Sequence, residues 1–257
     1  MSNLENRLRA MKPLGGRYPV DLVFVVDGTE SMSSCLETVK FNVLRLGDDL
    51  RERMSKDGKL LDSLRVRLIV FRDLYDDIST AFEVTPFFDL PAQKQEFERA
   101  VSAIQAFGGA DPSESGLEAL FLAIRSAWRN EPRNFKRRQV IVLFSDNDAH
   151  EIGGAEIPLK FAQHPHPKSF TDLKFLWERH DNQGSMNKHG KRLIMFAPDK
   201  VSISLPDVVK TGNDSWRDTI WLAIFQQWEN CWIVPDTSVG LSDTDWDIVL
   251  SKLTSTL

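Results

Sequence analysis

The chain has 257 residues, a length that fits one large α/β domain with a single hydrophobic core. Hydrophobic residues make up 42% of the chain and charged residues 27%, which favours a folded and soluble protein over a disordered one. The formal net charge of -5 argues against a nucleic-acid partner, because proteins that bind nucleic acid usually carry a basic face.

The N-terminal segment is polar and charged over residues 1–13, and we predict an extension at 1–18 ahead of one domain at 19–257. Neither this segment nor any later one approaches the roughly eighteen apolar residues that a bilayer-spanning helix needs. We therefore expect a cytoplasmic protein without a membrane partner. Cys35 and Cys231 are too few for a disulfide framework or a thiolate zinc site.

Apolar runs without alternation predict buried parallel strands, whereas apolar residues at helical spacing predict amphipathic helices. In chain order, the pattern predicts a strand at 21–27, a helix at 31–54, a strand at 65–73 and an alternating edge strand at 81–88. It then predicts helices at 92–106 and 114–128, strands at 139–146 and 192–198, a helix at 215–229, a strand at 230–234 and a helix at 243–253. The predicted fold class is α/β: a doubly wound, mostly parallel six-stranded sheet with one antiparallel edge strand and helices on both faces.

Carboxylate and hydroxyl side chains follow the predicted strands, at the edge where open parallel sheets bind their ligands. The first strand runs into Asp27-Gly28-Thr29-Glu30-Ser31, which presents a carboxylate and two hydroxyls at two-residue spacing. Asp146 ends the strand predicted at 139–146, and Asp111 lies between the two middle helices. Hard oxygen ligands favour Mg²⁺ or Ca²⁺ over zinc or copper. The sequence therefore predicts a divalent metal site built from three loops.

The run from Asp27 to Ser31 resembles the Asp-x-Thr/Ser-x-Ser signature of von Willebrand factor A (vWA) domains, which opens their metal-ion-dependent adhesion site (MIDAS). Together with Gly108-Gly109-Ala110-Asp111-Pro112-Ser113-Glu114 and Phe144-Ser145-Asp146, it is similar to a bacterial, intracellular branch of that family. The resemblance extends over residues 19–253 in the expected strand order. It implies a Rossmann-like fold.

The resemblance also implies a ligand set: Asp27, Thr29 and Ser31 from the first loop, Asp111 from the second and Asp146 from the third. The expected metal is Mg²⁺, which an intracellular setting supplies at about millimolar concentration, with Mn²⁺ or Ca²⁺ as alternatives. Asp111 stands where extracellular relatives commonly carry Thr, and Glu30 stands where a small residue is common. Both departures add negative charge, so we expect a weaker attraction for an acidic partner than in adhesion receptors.

The function implied by the resemblance is metal-dependent protein binding rather than catalysis. Members of that branch are often associated with protein kinases, PP2C-type phosphatases or ATPases. The expected partner is a protein of this kind, bound through an acidic side chain at the metal. The expected role is that of a regulatory or adaptor component in a bacterial intracellular signalling system.

Two other functions stay open at this point. A phosphohydrolase of the haloacid dehalogenase type would use Asp27 as its nucleophile together with Mg²⁺. That chemistry needs a second acid two residues later, where Thr29 stands. In a metal-free scaffold, the hydroxyl and acidic residues would instead cap helices.

Overall fold

The computed structural model describes residues 16–76, 78–109, 113–129, 136–154, 157–158, 161, 165–179, 186–203, 215–235 and 246–257. The strands are β1 (Arg17–Asp27), β2 (Leu60–Phe71), β3 (Phe82–Val84), β4 (Phe88–Leu90), β5 (Arg138–Phe144), β6 (Lys191–Phe196), β7 (Lys200–Ile203), β8 (Ser215–Asp218) and β9 (Cys231–Val234). The helices are α1 (Ser33–Val43), α2 (Leu46–Lys56), α3 (Lys94–Ser102), α4 (Gly116–Ile124), α5 (Phe170–Glu178), α6 (Ile220–Gln227) and α7 (Trp246–Thr256). A 3-10 turn at Glu30–Met32 precedes α1.

The main sheet has seven strands in the order β3-β2-β1-β5-β6-β9, and β4 also pairs with β2. Strands β2, β1, β5, β6 and β9 run parallel to one another, whereas β3 and β4 run antiparallel to β2. The predicted fold class, a mostly parallel α/β sheet with an antiparallel edge, is therefore confirmed. Because β1 occupies the interior of the sheet, its carboxyl end lies between those of β2 and β5.

The antiparallel edge, predicted as one strand over 81–88, consists of the two short strands β3 and β4. Pro86 lies between them and has no amide hydrogen to donate to the sheet. Thr85 replaces part of the missing pairing, because its hydroxyl accepts a 2.9 Å hydrogen bond from the amide of Leu68. The division of the edge explains why the sheet has seven strands where the sequence predicted six.

Alternate side chains of β1 enter two separate hydrophobic cores, one on each face of the sheet. Leu22 and Phe24 are fully buried against residues of α1, α2, α3 and α7. Val23 and Val25 are fully buried on the opposite face, against residues of α4, α5 and α6. Burial of a strand on both faces requires an unbroken apolar run, which is the pattern found in β1. Helices cover both faces of the sheet, as predicted.

The helix predicted at 31–54 is divided into α1 and α2 at residues 44–45. The side-chain amide of Asn42 donates a 2.9 Å hydrogen bond to the carbonyl oxygen of Thr38, and the amide of Arg45 bonds to the carbonyl of Asn42. These contacts replace regular α-helical bonds with a tighter turn. The predicted apolar face is nevertheless continuous, since Val43, Leu46 and Leu50 are all buried.

The second half of the chain differs more from the prediction. The helix predicted at 215–229 begins at Ile220, because residues 215–218 form strand β8, which pairs with β7 outside the main sheet. The sequence analysis missed this hairpin and helix α5. The middle helices are also shorter than predicted, at 94–102 and 116–124. None of the helices in the described part of the chain has the length and apolarity needed to span a bilayer.

Candidate metal centre

Asp27 is the last residue of β1, and its side chain is fully buried. One carboxylate oxygen, Oδ1, accepts hydrogen bonds from the amide (2.9 Å) and the hydroxyl (2.6 Å) of Thr29. Loss of hydration raises the pKa of Asp27 to about 6, and the nearby charge of Asp146 adds to this effect, whereas the hydrogen bonds from Thr29 and Ser145 oppose it. A bound cation would stabilise the ionised form of this carboxylate.

The first loop aligns three side-chain oxygen atoms. The hydroxyl oxygen of Thr29 lies 2.6 Å from Oδ1 of Asp27 and 3.2 Å from the hydroxyl oxygen of Ser31. Thr29 is buried, whereas Ser31 is exposed, so the row runs from the protein interior to its surface. Thr29 occupies the N-cap position of the 3-10 turn, but its side chain makes no capping hydrogen bond there. Its hydroxyl instead faces the carboxylate.

Gly28 allows the first loop to lie tightly against the end of β2. Its amide donates a 2.8 Å hydrogen bond to the carbonyl oxygen of Phe71. A Cβ atom at this position would lie 2.4 Å from Cγ1 of Val70, which is closer than two carbon atoms can approach. Glycine is therefore required sterically between Asp27 and Thr29.

The described part of the second loop packs on the first. The amide of Phe107 bonds to the carbonyl of Gly28 at 3.0 Å, and the amide of Glu30 bonds to the carbonyl of Gly108 at 3.2 Å. Gly109 has a φ of +95°, a backbone conformation that favours glycine. The second loop thus approaches the first, as predicted. Asp111 lies outside the described residues, and its role as a ligand stays a prediction.

The third loop follows β5 and contributes Ser145 and Asp146. Ser145 is buried, and its hydroxyl donates a 3.4 Å hydrogen bond to Oδ2 of Asp27. Asp146 is partly exposed and close enough to Asp27 for its charge to raise the pKa of that residue. The structure therefore brings the predicted residues of the first and third loops to one edge of the sheet.

The chemistry of this oxygen set fits a hard divalent cation. It combines the carboxylates of Asp27 and Asp146 with the hydroxyls of Thr29 and Ser31. Over the described ranges, no three His, Cys, Asp or Glu side chains cluster as metal ligands would. A cation at this position would need hydroxyl groups as well as carboxylates, with water to complete its coordination.

Sequence analysis missed Arg72, whose side chain hydrogen-bonds to the first loop and to the segment that leads into the second loop. This arginine follows β2 and is almost completely buried. Its Nε donates a 3.2 Å hydrogen bond to the carbonyl of Gly28, and Nη2 donates one of 2.5 Å to the carbonyl of Gln105 and one of 2.7 Å to Glu83. Its guanidinium also lies 3.8 Å from the ring centre of Phe107. An Arg directly after a strand, beside two glycine-containing loops, is a weak sequence signal for this role.

A second group of ionisable residues, which includes the buried Asp73 and Glu118, lies beyond the candidate centre. Oδ2 of Asp73 is 3.4 Å from Nε2 of His150, and Oδ1 of Asp73 accepts a 3.3 Å hydrogen bond from Ser115. Glu118, on α4, interacts electrostatically with Asp73 and His150 and accepts a hydrogen bond from the amide of Gly153. Burial raises the pKa of Glu118 to about 7. This carboxyl group therefore changes its charge near neutral pH.

Comparison with known proteins agrees with the vWA resemblance of the first and third loops. The family profile described as the von Willebrand factor type A domain matches residues 22–149, which include the second half of β1, the first loop and the third loop. Residues 22–149, just under half of the chain, are therefore similar to vWA domains. Domains of this family are protein-interaction modules.

Among curated proteins, the alpha-protein kinase vwkA of Dictyostelium discoideum is 32% identical over 110 residues, covering 43% of this chain and 16% of the kinase. The pilus adhesin SpaC of Lactobacillus rhamnosus GG matches 93% of this chain and 30% of its own, with a TM-score of 0.52 and 13% identity. The vWF domain of the pilus tip protein Mfa5 of Porphyromonas gingivalis matches 54% of this chain and 42% of its own, at 17% identity and a TM-score of 0.34. The chain thus spans less than a third of the first two proteins. The likeness to SpaC concerns the fold alone.

Proposed function

We propose that the chain is a divalent-metal-dependent protein-interaction module with a MIDAS formed by Asp27, Thr29, Ser31, Asp111 and Asp146. The observation that carries the proposal is the row of oxygen atoms from the buried Asp27 through Thr29 to the exposed Ser31. Mg²⁺ is the proposed metal, and Mn²⁺ or Ca²⁺ could replace it. When bound, the cation would supply a positive charge with a coordination position for an oxygen atom of a partner.

The residues of this chain would hold the cation and direct the partner to it. Asp27 and Asp146 would supply the negative charge, and Thr29 and Ser31 would supply neutral oxygen ligands. The tight packing of Gly28 and the contacts of Arg72 would keep the first loop in place during binding. Such preorganisation reduces the ordering cost of metal and partner binding.

The same contacts favour binding over phosphate hydrolysis. The acid that a haloacid dehalogenase needs two residues after its nucleophile is replaced by Thr29, whose hydroxyl donates to Oδ1 of Asp27. The attacking oxygen would therefore already be hydrogen-bonded to a neighbour without acid function. We propose that the chain is not an enzyme. The lack of a capping bond from the Thr29 side chain also argues against a metal-free scaffold in which this residue only caps a helix.

For the partner, we propose a protein kinase, a PP2C-type phosphatase or an ATPase in a bacterial intracellular signalling system, with the chain acting as regulator or adaptor in the cytoplasm. The similarity to a protein named as an alpha-protein kinase supports the first of these partners. The partner would bind through an acidic side chain. The extra negative charge of Asp111 and Glu30 would make this contact weaker than in adhesion receptors.

Calorimetric titration with Mg²⁺ and Mn²⁺ tests the proposal. Wild-type protein should bind either metal, whereas the Asp27→Ala/Asp146→Ala variant should give no binding heat and should capture none of the candidate partners that wild type retains. An Asp48→Asn/Asp62→Asn variant is the matched control, because it removes the same charge from surface positions paired with arginine. Unchanged metal and partner binding by the double alanine variant, with its fold verified by circular dichroism, would refute the proposed site.

A further inference from the structure

The third loop is anchored by Asp148, two residues after the proposed ligand Asp146. Asp148 is buried, and its Oδ1 accepts hydrogen bonds from the amides of Ile220 (2.8 Å) and Ala149 (3.0 Å). Its other carboxylate oxygen forms an ion pair with Arg217. Ile220 begins α6 and Arg217 lies on β8, so one carboxylate connects the third loop to both elements.

Trp221 makes a second connection between α6 and the same loop. Its indole nitrogen donates a 2.8 Å hydrogen bond to the carbonyl oxygen of Asn147, and its side chain is fully buried. Its six-membered ring lies against Gly116, where an added Cβ atom would be 2.8 Å from Cη2 of the indole. Gly116 begins α4, the helix that follows the second loop. Trp221 therefore contacts both the third loop and the helix that follows the second loop.

The beginning of α6 is also held by a hydrogen bond to the segment after β6. The hydroxyl of Thr219 donates a 2.7 Å hydrogen bond to the carbonyl oxygen of Pro198 and accepts one from the amide of Leu222. Because this end of the helix is held by the segment after β6, α6 cannot move freely with the third loop. Moving the loop would strain the buried bonds of Asp148, and an unpaired buried carboxylate is unfavourable.

We propose that Asp148 is a positioning residue that couples cation binding at Asp146 to the β7–β8 hairpin through Arg217. The inference rests on the proposed function, since it requires a cation at Asp146. Ligation orders the backbone of residues 145–148, and the Asp148 carboxylate transmits this ordering to Ile220 and Arg217. The hairpin, where Trp216 is 59% exposed, then differs in mobility between the metal-free and metal-bound protein.

Hydrogen exchange measured by mass spectrometry, with and without saturating Mg²⁺, tests this coupling. In wild type, Mg²⁺ should slow amide exchange at 27–31 and 145–149, and also at 215–222, by about fivefold or more. In Arg217→Met, the slowing at 27–31 should persist and that at 215–218 should be lost. Asp148→Asn retains an oxygen that can accept from Ile220 but loses the ion pair, and it should behave like Arg217→Met.

Lys200→Met provides the matched control, because Lys200 carries a positive charge on the same hairpin and is exposed. This variant should show the wild-type pattern at all three segments. Slowing in wild type confined to 27–31 and 145–149 would overturn the coupling while leaving the proposed metal site intact. An Mg²⁺-independent exchange pattern throughout the chain, together with no binding heat, would overturn both the coupling and the proposed function.

Discussion

The hydroxyl of Ser145 lies 3.4 Å from Oδ2 of Asp27, which joins the carboxyl ends of the neighbouring parallel strands β5 and β1. Because Thr29 donates to the other carboxylate oxygen, each oxygen of Asp27 faces a hydroxyl group. The strand order thus determines which loops can share this carboxylate. Residues 118 positions apart in sequence become neighbours through the register of the sheet.

Replacement of Thr29 by Val removes the hydroxyl group but keeps the shape of the side chain, so it tests the hydroxyl group alone. Val retains the branched carbon that packs near Gly109 but cannot donate to the buried Asp27. We expect a loss of about 1–3 kcal/mol in the free energy of unfolding, since a buried acceptor loses a donor. Mg²⁺ binding should weaken by about tenfold or more, because changes to residues that contact only the metal ligands already weaken binding by about this much. Calorimetry and urea unfolding measure the two effects.

Thr29→Ser is the control for this prediction. Serine keeps the hydroxyl and loses a methyl group, so Mg²⁺ affinity should remain within about threefold of wild type, a difference of less than 1 kcal/mol. Equal Mg²⁺ affinities of the Val and Ser variants would contradict a role for this hydroxyl as a ligand.

The sequence predicts the sheet and the first loop well because their signals are local. The run from Leu22 to Val26 must be buried on both faces, and the Asp27-Gly28-Thr29 turn follows it directly. The hairpin β7–β8 was missed because β7 has only four residues and the residues of β8 were included in the helix predicted at 215–229. Helix α5 carries a signal that could have been used: the hydroxyl of Ser169 accepts a hydrogen bond from the amide of Asp172, as in a helix N-cap.

The candidate site is less predictable where contacts are distant in sequence. Residues Asp146 and Asp148 look alike in sequence, but only the structure shows that Asp148 is buried against Arg217 and Ile220. The position of Arg72 behind the first loop likewise depends on the pairing of β1 with β2. Such roles are set by strand order and packing, which no short sequence window contains.

The raised pKa of Glu118 predicts that the free energy of unfolding depends on pH. The pKa is about 7 in the folded protein, against 4.5 for an ordinary Glu. Between these values, the folded state binds more protons than the unfolded state, so the free energy of unfolding falls as pH rises. The stabilising proton is fully present below pH 4.5 and lost as pH passes through 7. The full effect is about 3 kcal/mol.

Glu118→Gln tests this effect because the neutral amide can still accept a hydrogen bond from Gly153 but cannot ionise. The variant should gain stability relative to wild type between pH 5 and pH 8, by up to about 3 kcal/mol in urea unfolding experiments. Glu96→Gln, at an exposed position of α3, should show no such trend. A constant difference between the Glu118→Gln variant and wild type across this range would show that Glu118 titrates normally.

Gly116 and Gly47 form a matched pair for testing the contact with Trp221. Both are helical, but a Cβ atom at Gly116 would be 2.8 Å from the indole, whereas one at Gly47 would be 3.7 Å from its nearest neighbour. Gly116→Ala should therefore destabilise the protein by about 1–3 kcal/mol through overpacking. Gly47→Ala should stabilise it by about 0.5–1 kcal/mol, because Ala is the better helix former. Thermal unfolding of both variants measures the difference, and similar gains would contradict tight packing at Trp221.

Asp21, near the middle of β1, provides a test of stability away from the candidate centre. Its buried carboxylate accepts hydrogen bonds from Arg65 at 2.9 and 2.6 Å and from Arg137 at 3.2 Å. Asp21→Asn would remove the negative charge that two largely buried guanidinium groups contact, and we expect a loss of about 3–5 kcal/mol in the free energy of unfolding. Asp62→Asn, which removes a surface partner of Arg17, should cost less than about 1 kcal/mol.

Metal binding should distinguish this structural carboxylate from that of Asp27, at the end of the same strand. Asp21 and Asp27 are six residues apart in an extended strand, a separation of about 20 Å, so no shared cation can contact both. Asp21→Asn should therefore keep wild-type Mg²⁺ affinity at temperatures where it remains folded, whereas Asp27→Asn should lose it. Loss of Mg²⁺ binding in a folded Asp21→Asn protein would indicate that binding depends on the overall rigidity of β1. In that case, the loop residues alone would not define the centre.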